Sequence, residues 1–289
     1  MRAKTRLVYV CVLLAGLGAF DAYAALEYDV RQDVIYGHKA GMALTFDVVT
    51  PRENGNGIGL LCMMSRGWAS SWTPTGEMMR QSAITKGRFA SVVQEGFTLF
   101  LVWHGSSPQF KVPDAVSDVR RAVRFIRHNS DDFGVNPNRL GAFGASAGGH
   151  LALTLGTMAD DGNTESKDPV ERESSRIAAV VAYFPPVDLR QSVGPNAEVS
   201  ALDFDAALAE DVSPVLHTTS DDAPALMVHG DLDKSVPLSQ SEEMLKALTE
   251  ASVDCDLLII EGAGHAFRGT DAGKAAAAQV DWFKKHLID

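Results

Sequence analysis

Hydrophobic and polar positions along this chain change period several times, from two residues to about 3.6 and back. In residues 42–49 apolar side chains alternate with small or polar ones, which predicts a half-buried strand, with residues 34–36 as its hairpin partner across a turn at 37–41. Nearly continuous apolar runs then recur, a pattern typical of strands buried on both faces. These runs cover residues 58–64, 97–103, 140–143, 177–183, 223–229 and 256–260.

Helix-like segments lie between the apolar runs. They are predicted over residues 88–95, 113–127, from 151 onward, 239–250 and 272–287. In the second of these, apolar residues share one face of the helix. The opposite face is predicted to be a solvated polar surface rather than a binding patch, and it carries Asp118, Arg120, Arg121, Arg124 and Arg127.

Strands that alternate with helices predict the α/β class, with a mainly parallel, doubly wound sheet and right-handed crossovers. The runs amount to an eight-stranded sheet, and the opening hairpin makes its first edge antiparallel. Roughly 30 residues separate residue 189 from the strand at residue 223, which is too short for a large cap domain.

The amino terminus has the features of a secretory signal peptide. Arg2, Lys4 and Arg6 precede an apolar stretch over residues 7–20, and Ala22-Tyr23-Ala24 follows it as a cleavage site. We expect residues 1–24 to be removed, which leaves one domain over residues 25–289 in the periplasm or the medium. An uncleaved anchor is the alternative, although the apolar run is shorter than the ~20 residues that a membrane span needs.

Composition narrows the classes of partner. The net charge of −11, with an acidic surface loop predicted over residues 160–176, argues against nucleic acid, which requires a concentrated basic face. Cys62 and Cys255 fall in predicted buried strands far apart in the sheet, so no disulfide is expected. No H-E-x-x-H, paired C-x-x-C or Walker lysine pattern occurs, and we therefore expect neither a metal nor a cofactor.

Candidate chemistry centres on Gly144-Ala145-Ser146-Ala147-Gly148, which lies between a predicted strand and a predicted helix. A G-x-S-x-G in that context forms a sharp turn that holds a serine hydroxyl above the sheet. The turn leaves no room for side chains two residues before or after the serine, which explains both glycines. Ser146 is therefore the candidate nucleophile.

A serine nucleophile needs a base to take its proton and a third group to orient that base. His265 lies in a glycine-rich loop after the last predicted strand and is the candidate base. The loop after the preceding strand offers two carboxylates, Asp231 and Asp233, and position alone leaves both open. His150 and His229 are predicted to be structural, and His104 is a candidate for the pocket lining.

From about residue 28 onward the chain resembles the α/β-hydrolase superfamily, in its esterase/lipase group. That group includes bacterial feruloyl and acetyl-xylan-type esterases and prolyl-oligopeptidase-like catalytic domains. The resemblance is carried by residues 113–153, by His229-Gly230-Asp231-Leu232-Asp233-Lys234-Ser235-Val236-Pro237, which matches H-G-x-x-D-x-x-V-P, and by Gly264-His265. It implies the α/β-hydrolase fold, with Ser146, His265 and Asp233 as the catalytic triad.

The chain departs from this group at the loop after the third strand. Many of these esterases carry H-G-G-G-W there to supply oxyanion-hole N–H groups, whereas this chain has Met64-Ser65-Arg66-Gly67-Trp68. We expect backbone N–H groups of Ala147, Gly67 and Arg66 to form the oxyanion hole. The candidate substrate-binding residues are Trp68, Trp72, Phe184 and His104.

The predicted function is hydrolysis of carboxylic esters, either short-chain or linked to polysaccharide as acyl or feruloyl groups, by an exported serine esterase. A serine peptidase of the dipeptidyl-peptidase or prolyl-oligopeptidase kind is an alternative that uses the same triad. A non-catalytic binding protein on a hydrolase scaffold is a second alternative, favoured only by the altered loop at Ser65-Arg66.

Overall fold

The computed structural model describes residues 28–70, 87–195 and 197–288. The predicted signal peptide and Trp72 lie outside these residues. The described strands are β1 Tyr28–Lys39, β2 Met42–Pro51, β3 Gly59–Met63, β4 Thr98–Val102, β5 Leu140–Ala145, β6 Ala179–Tyr183, β7 Ala225–Gly230 and β8 Cys255–Ile260. The described α-helices are α1 Gly87–Gln94, α2 Val112–His128, α3 Ser130–Phe133, α4 Ala147–Thr157, α5 Leu238–Glu250 and α6 Gly269–Leu287.

All eight described strands form one sheet, in the order β1-β2-β4-β3-β5-β6-β7-β8. β2 pairs antiparallel with both β1 and β4, and every later pairing is parallel. The predicted mixed sheet with an antiparallel first edge is therefore confirmed. β1 is much longer than the predicted residues 34–36, because two register shifts interrupt the alternation that a sequence pattern needs.

Helices cover both faces of the sheet, as the nearly continuous apolar strands require. On one face α2, α4 and α5 pack over a core that includes edge-to-face contacts of Phe46 with Phe100 and Phe133. On the other face α1 and α6 cover a second core, where Phe143 of β5 meets Phe283 of α6. β5 thus lies between two packed layers, and its carboxyl end at Ala145 is held in a fixed position.

Cys62 and Cys255 lie on strands separated by β5, β6 and β7, and no disulfide joins them. Cys62 is buried in β3, but Cys255 is only half-buried, so its predicted full burial was wrong. The reason is that β8 is the last strand in the sheet order and, among the described strands, pairs with β7 alone. None of the helices in the described residues has both the length and the apolar character of a membrane span.

The polar face of α2 is not a solvated surface, and that prediction was wrong. The acidic segment 160–176 folds back onto it: Arg121 pairs with Asp168 at 2.8 Å, and Arg124 pairs with Glu171 at 2.9 Å. Arg124 also pairs with Asp160. The arginine stripe and the acidic loop are therefore two halves of one intramolecular contact.

Asp118 was also misplaced on the solvated face, because it is 3% exposed. One carboxylate oxygen is 2.7 Å from the Lys39 ammonium and the other accepts the Gly105 backbone N–H at 2.9 Å. Burial raises the pKa of this carboxyl, and the Lys39 hydrogen bond opposes that rise. Asp118 therefore anchors the loop that follows β4 to helix α2.

The described residues between β6 and β7 include four short 3-10 helices: Ser200–Leu202, Ala206–Leu208, Glu210–Val212 and Pro214–Leu216. Two contacts bring this segment to the carboxyl ends of the strands. The Val212 carbonyl lies 2.7 Å from a ring nitrogen of His150 in α4, and a Val199 methyl lies 3.5 Å from where a Cβ on Gly67 would be. The segment therefore borders the loop that follows β3.

We expect Arg124→Gln to lower the free energy of unfolding by about 1–2 kcal/mol, since it leaves Asp160 and Glu171 without their most buried cation. Urea unfolding measures this. Arg176→Gln is the matched control, because its pairs with Asp161 and Asp221 are exposed, and it should cost less than about 0.5 kcal/mol. Equal losses in the two variants would contradict the role given to Arg124.

Candidate active site

Ser146 stands in the sharp turn between β5 and α4, with φ 55° and ψ −121°. Its backbone N–H donates to the Tyr183 carbonyl at 2.9 Å, which ties the turn to β6. A Cβ on Gly144 would lie 2.3 Å from the Gly148 carbonyl oxygen, and one on Gly148 would lie 2.6 Å from the Met63 carbonyl oxygen. Both glycines are thus required by close backbone contacts, and the serine occupies a strained conformation typical of functional sites.

His265 lies between Ser146 and Asp233. Its Nε2 is 2.9 Å from Ser146 Oγ, and its Nδ1 is 2.7 Å from Asp233 Oδ2. The other carboxylate oxygen of Asp233 accepts the backbone N–H groups of Ser235 and Val236 at 2.8 and 3.0 Å. The carboxylate holds the proton of His265 on Nδ1, so Nε2 is free to accept the hydroxyl proton of Ser146.

The two carboxylates that the sequence left open have different partners. Asp233 contacts His265, whereas Asp231 Oδ1 accepts the backbone N–H of Gly262 at 2.6 Å. Asp231 therefore braces the loop that carries His265. His229 is bonded to Ser241 Oγ and to the Val236 carbonyl, which agrees with the structural role predicted for it.

Phe184 is the predicted wall residue that reaches the candidate triad. Its ring centroid is 4.6 Å from that of His265, and its backbone N–H donates to the Val228 carbonyl at 2.8 Å. Its φ of 37° is unusual for a bulky residue and marks a second strained position beside the site. Trp68, the other predicted wall residue that the structure describes, is equally buried, but its indole contacts His150 and not a residue of the candidate triad.

The loop after β3 forms a tight turn over residues 66–69. The Arg66 N–H donates to the Ala69 carbonyl at 3.0 Å, and the Ala69 N–H donates to the Arg66 carbonyl at 2.9 Å. Gly67 and Trp68, at the centre of the turn, have φ 55° and 54°, the positive values that a type I′ turn requires. Because the Arg66 N–H is already bonded, the prediction that it is an oxyanion donor was wrong.

The other two predicted oxyanion donors, the backbone N–H groups of Ala147 and Gly67, remain candidates. Ala147 is the first residue of α4, and the first N–H groups of a helix have no acceptor within it. The positive end of the helix dipole lies at the same place and favours negative charge. Gly67 lies in the type I′ turn, and its N–H remains the candidate from that loop.

His104 does not line the pocket, which corrects that prediction. Its ring is 3% exposed, with Nδ1 2.8 Å from the Gly105 carbonyl and Nε2 2.9 Å from Ser65 Oγ. Burial lowers the pKa of His104 to about 4, and burial lowers the pKa of His150 to about 4 as well. Both imidazoles are therefore neutral at physiological pH. Sequence reasoning gave His150 a structural role but missed that both rings contact the loop after β3.

Comparison with known proteins places the chain in a family. A family model described as BD-FAE matches residues 46–248, more than half of the chain, so the chain belongs to the BD-FAE family. Esterase LipC of Mycobacterium tuberculosis is 26% identical over 219 residues, which are 70% of this chain and 54% of that protein. The isoprenylcysteine alpha-carbonyl methylesterase ICME of Arabidopsis thaliana is 22% identical over 89% of this chain and 61% of its own length. The chain spans about half the length of the first curated relatives it matches.

Solved structures share the fold. A truncated carbohydrate esterase from gut microbiota superposes with a TM-score of 0.74 at 21% identity, over 92% of this chain and 99% of that one. Butyrate-bound esterase 2 of Thermogutta terrifontis has a TM-score of 0.71 at 22% identity, over 90% of this chain and 93% of its own. The fold is therefore that of the α/β-hydrolase esterases.

Within the part of the chain that the structure describes, no group of His, Cys, Asp and Glu side chains is arranged to hold a metal ion.

The neutral histidines predict how stability depends on pH. In the unfolded chain an imidazole takes up its proton near pH 6.5, whereas His104 and His150 do so in the folded protein only near pH 4. The unfolded state binds more protons in that window, so the free energy of unfolding should fall as pH falls from 6.5 to 4. Each histidine contributes about 1.4 kcal/mol for each unit between its two pKa values.

Urea unfolding at several pH values measures this slope. His104→Gln removes one titrating group and should flatten the slope between pH 6.5 and 4. An equal slope in His104→Gln and in the parent protein would contradict the buried neutral state of His104.

Proposed function

We propose that the protein hydrolyses carboxylic esters through an acyl-enzyme formed on Ser146. The observation that carries the proposal is the pair of contacts made by His265, 2.9 Å to Ser146 Oγ and 2.7 Å to Asp233 Oδ2. A hydroxyl, a base and an orienting carboxylate in that sequence are what a serine nucleophile needs. Membership of the BD-FAE family and the names of the relatives support the same reaction.

In the first half-reaction Ser146 Oγ attacks the ester carbonyl carbon while its proton passes to His265 Nε2. Asp233 stabilises the resulting imidazolium through its hydrogen bond to Nδ1. The N–H groups of Ala147 and Gly67 stabilise the negative carbonyl oxygen. The C–O bond then breaks and the alcohol leaves with the proton from His265. Water repeats the sequence and releases the acid, which restores Ser146.

For the substrate we propose short acyl groups, free or linked to polysaccharide. Structural neighbours include a carbohydrate esterase, an acetyl ester-xyloside bifunctional hydrolase from Caldicellulosiruptor lactoaceticus and an esterase with butyrate bound. The described segment between β6 and β7 contains short 3-10 helices and borders the loop after β3, and Phe184 offers an apolar ring beside His265. Such a site suits a small acyl group on a bulky alcohol. The proposed substrates also include feruloyl esters linked to polysaccharide.

We also propose that the protein acts after export, as a single domain over residues 25–289. The basic residues, apolar stretch and Ala22-Tyr23-Ala24 of the first 24 residues support this. Amino-terminal sequencing of the protein recovered from the periplasm or the medium of an expressing bacterium tests it, and a first residue of Ala25 is expected. Recovery from the cytoplasm with Met1 intact would contradict it.

The mature protein should hydrolyse the short-chain chromogenic ester p-nitrophenyl acetate. Ser146→Ala should lower kcat by about 10⁴-fold or more, because the nucleophile is removed while the fold is kept. The parallel assay on a dipeptide arylamide separates an esterase from a peptidase. Undiminished ester hydrolysis by Ser146→Ala would contradict the mechanism, and faster cleavage of the arylamide would favour the peptidase.

Asp233→Asn and Asp231→Asn form a matched pair for the same assay. Asp233→Asn should lower kcat by about 10³–10⁴-fold, since the amide no longer holds the proton of His265 on Nδ1. Asp231→Asn keeps an oxygen that can accept the Gly262 N–H and should lower kcat less than tenfold. The reverse order would show that the wrong carboxylate was assigned.

A further inference from the structure

We propose that His104 and His150 are positioning residues for the proposed ester hydrolysis, which together hold the oxyanion loop, residues 65–69, against the nucleophile turn. Each accepts one hydrogen bond from a side chain of that loop, Ser65 on one side and Trp68 on the other. The proposal rests on the proposed function. It states that two buried histidines affect the rate of catalysis, although their rings are bonded to the loop and to backbone carbonyls and not to a side chain of the proposed triad.

The hydrogen bonds of His104 determine which of its nitrogens carries the proton. Its Nδ1 is 2.8 Å from the Gly105 carbonyl, which can only accept, so Nδ1 carries the hydrogen. In a neutral imidazole the other nitrogen is then an acceptor. Nε2 therefore accepts the hydroxyl proton of Ser65, whose Oγ is 2.9 Å away. The loop side chain is the donor in this bond.

His150 is in the opposite tautomer, and the reasoning is independent. Its Nε2 is 2.7 Å from the Val212 carbonyl and therefore carries the hydrogen. Its Nδ1 is 3.2 Å from Nε1 of Trp68, and an indole nitrogen can only donate. A protonated His150 would direct an N–H at the indole N–H. The geometry thus requires a neutral ring on this side as well.

The oxyanion loop needs such support because its backbone is strained. Trp68 has φ 54° in a type I′ turn, where glycine or asparagine is preferred. A bulky residue in that conformation persists only where surrounding contacts over-determine it. Here the indole is buried and bonded to His150, and the Trp68 carbonyl accepts the Ser107 N–H at 3.2 Å.

Both histidines that hold the oxyanion loop are connected to rigid helices. Gly105, which fixes the tautomer of His104, is itself held by Asp118 of α2 at 2.9 Å. His150 belongs to α4, the helix that begins directly after Ser146. The nucleophile and one support of the oxyanion loop therefore share one helix. A change in either hydrogen bond should shift the loop relative to Ser146.

Ser65 is one of the positions at which this chain departs from the H-G-G-G-W pattern. The H-G-G-G-W pattern that it resembles has a glycine at that position, which has no side chain to bond. Replacing that glycine with serine supplies the hydroxyl that His104 accepts. The altered loop, which favoured a non-catalytic protein on sequence grounds, is therefore compatible with a formed oxyanion hole.

Ser65→Ala and Trp68→Phe remove one donor each and leave both histidines in place. Each should lower kcat on p-nitrophenyl acetate roughly tenfold with KM nearly unchanged, because a displaced oxyanion donor weakens transition-state stabilisation and not substrate binding. The inhibition constant of a short-chain alkyl trifluoromethyl ketone, whose adduct with Ser146 carries an oxyanion, should rise by the same factor. Ser65→Thr keeps the hydroxyl and should restore activity.

Trp282→Phe is the matched control for Trp68→Phe. Trp282 is buried, and its indole nitrogen has no hydrogen-bond partner within the described residues, so the same change there should leave kcat and the ketone inhibition constant unchanged. Nitrogen NMR of imidazole-labelled protein gives a second readout that does not depend on activity. It should show two neutral histidines of opposite tautomer, with Ser65→Ala altering His104 and Trp68→Phe altering His150.

The outcomes separate the two proposals. Wild-type values of kcat and of the ketone inhibition constant in both loop variants, with hydrolysis still dependent on Ser146, would overturn the positioning role and leave the esterase intact. A protonated His104 or His150 at pH 7 in the NMR spectrum would overturn the positioning role by itself. Absence of Ser146-dependent hydrolysis in the parent protein would overturn the proposed function and, with it, the catalytic role of the loop.

Discussion

The backbone turn at Ser146 is the constraint on which the rest of the site depends. A serine with a positive φ is held there because the chain passes within van der Waals contact of itself at Gly144 and Gly148 and of β3 at Met63. Those contacts require β3, β5 and β6 to lie side by side, as the two packed cores ensure. The strain at the serine is thus supported by the burial of the whole sheet, and the hydroxyl meets His265 without further adjustment.

The residues around Ser146 are brought together at the carboxyl ends of the strands of this sheet. Loops that leave the carboxyl ends of parallel strands converge there, which brings Asp233 after β7 and His265 after β8 together although 32 residues separate them. The loops after β3 and β4 converge beside them and are bonded to each other through Ser65 and His104. The loops after β7 and β8 therefore carry the residues for proton transfer, whereas the loops after β3 and β4 contribute to oxyanion stabilisation. All four loops are fixed by the same sheet.

Much of this could be predicted from sequence, because the relevant signals are local. Apolar runs located β2 to β8 to within a few residues, although not the full length of β1. G-x-S-x-G with a strand before it and a helix after it located the turn at Ser146. The choice between Asp231 and Asp233 was not local, since both follow the same strand, and it came from resemblance to a family motif. The structure assigns Asp233 to His265 and Asp231 to Gly262.

The errors have one physical origin, which is contact between segments distant in sequence. The polar face of α2 looked solvated because its acidic partner begins some 30 residues later, and Asp118 looked exposed because Lys39 lies in the first hairpin. Arg66 was assigned as an oxyanion donor because the amino-acid sequence does not reveal the type I′ turn around Gly67 and Trp68, in which the Arg66 N–H is already bonded. His104 was placed in the pocket because its partner Ser65 follows another strand.

Reaction of the mature protein with a fluorophosphonate tests the central claim most directly, because this probe reacts far faster with a serine whose proton a neighbouring base can take than with an ordinary hydroxyl. Intact-mass measurement and peptide mapping should find one adduct, on Ser146, and none in a folded Ser146→Ala variant. A folded parent protein that stays unmodified, or an adduct on another residue, would contradict the account of Ser146 as an activated nucleophile.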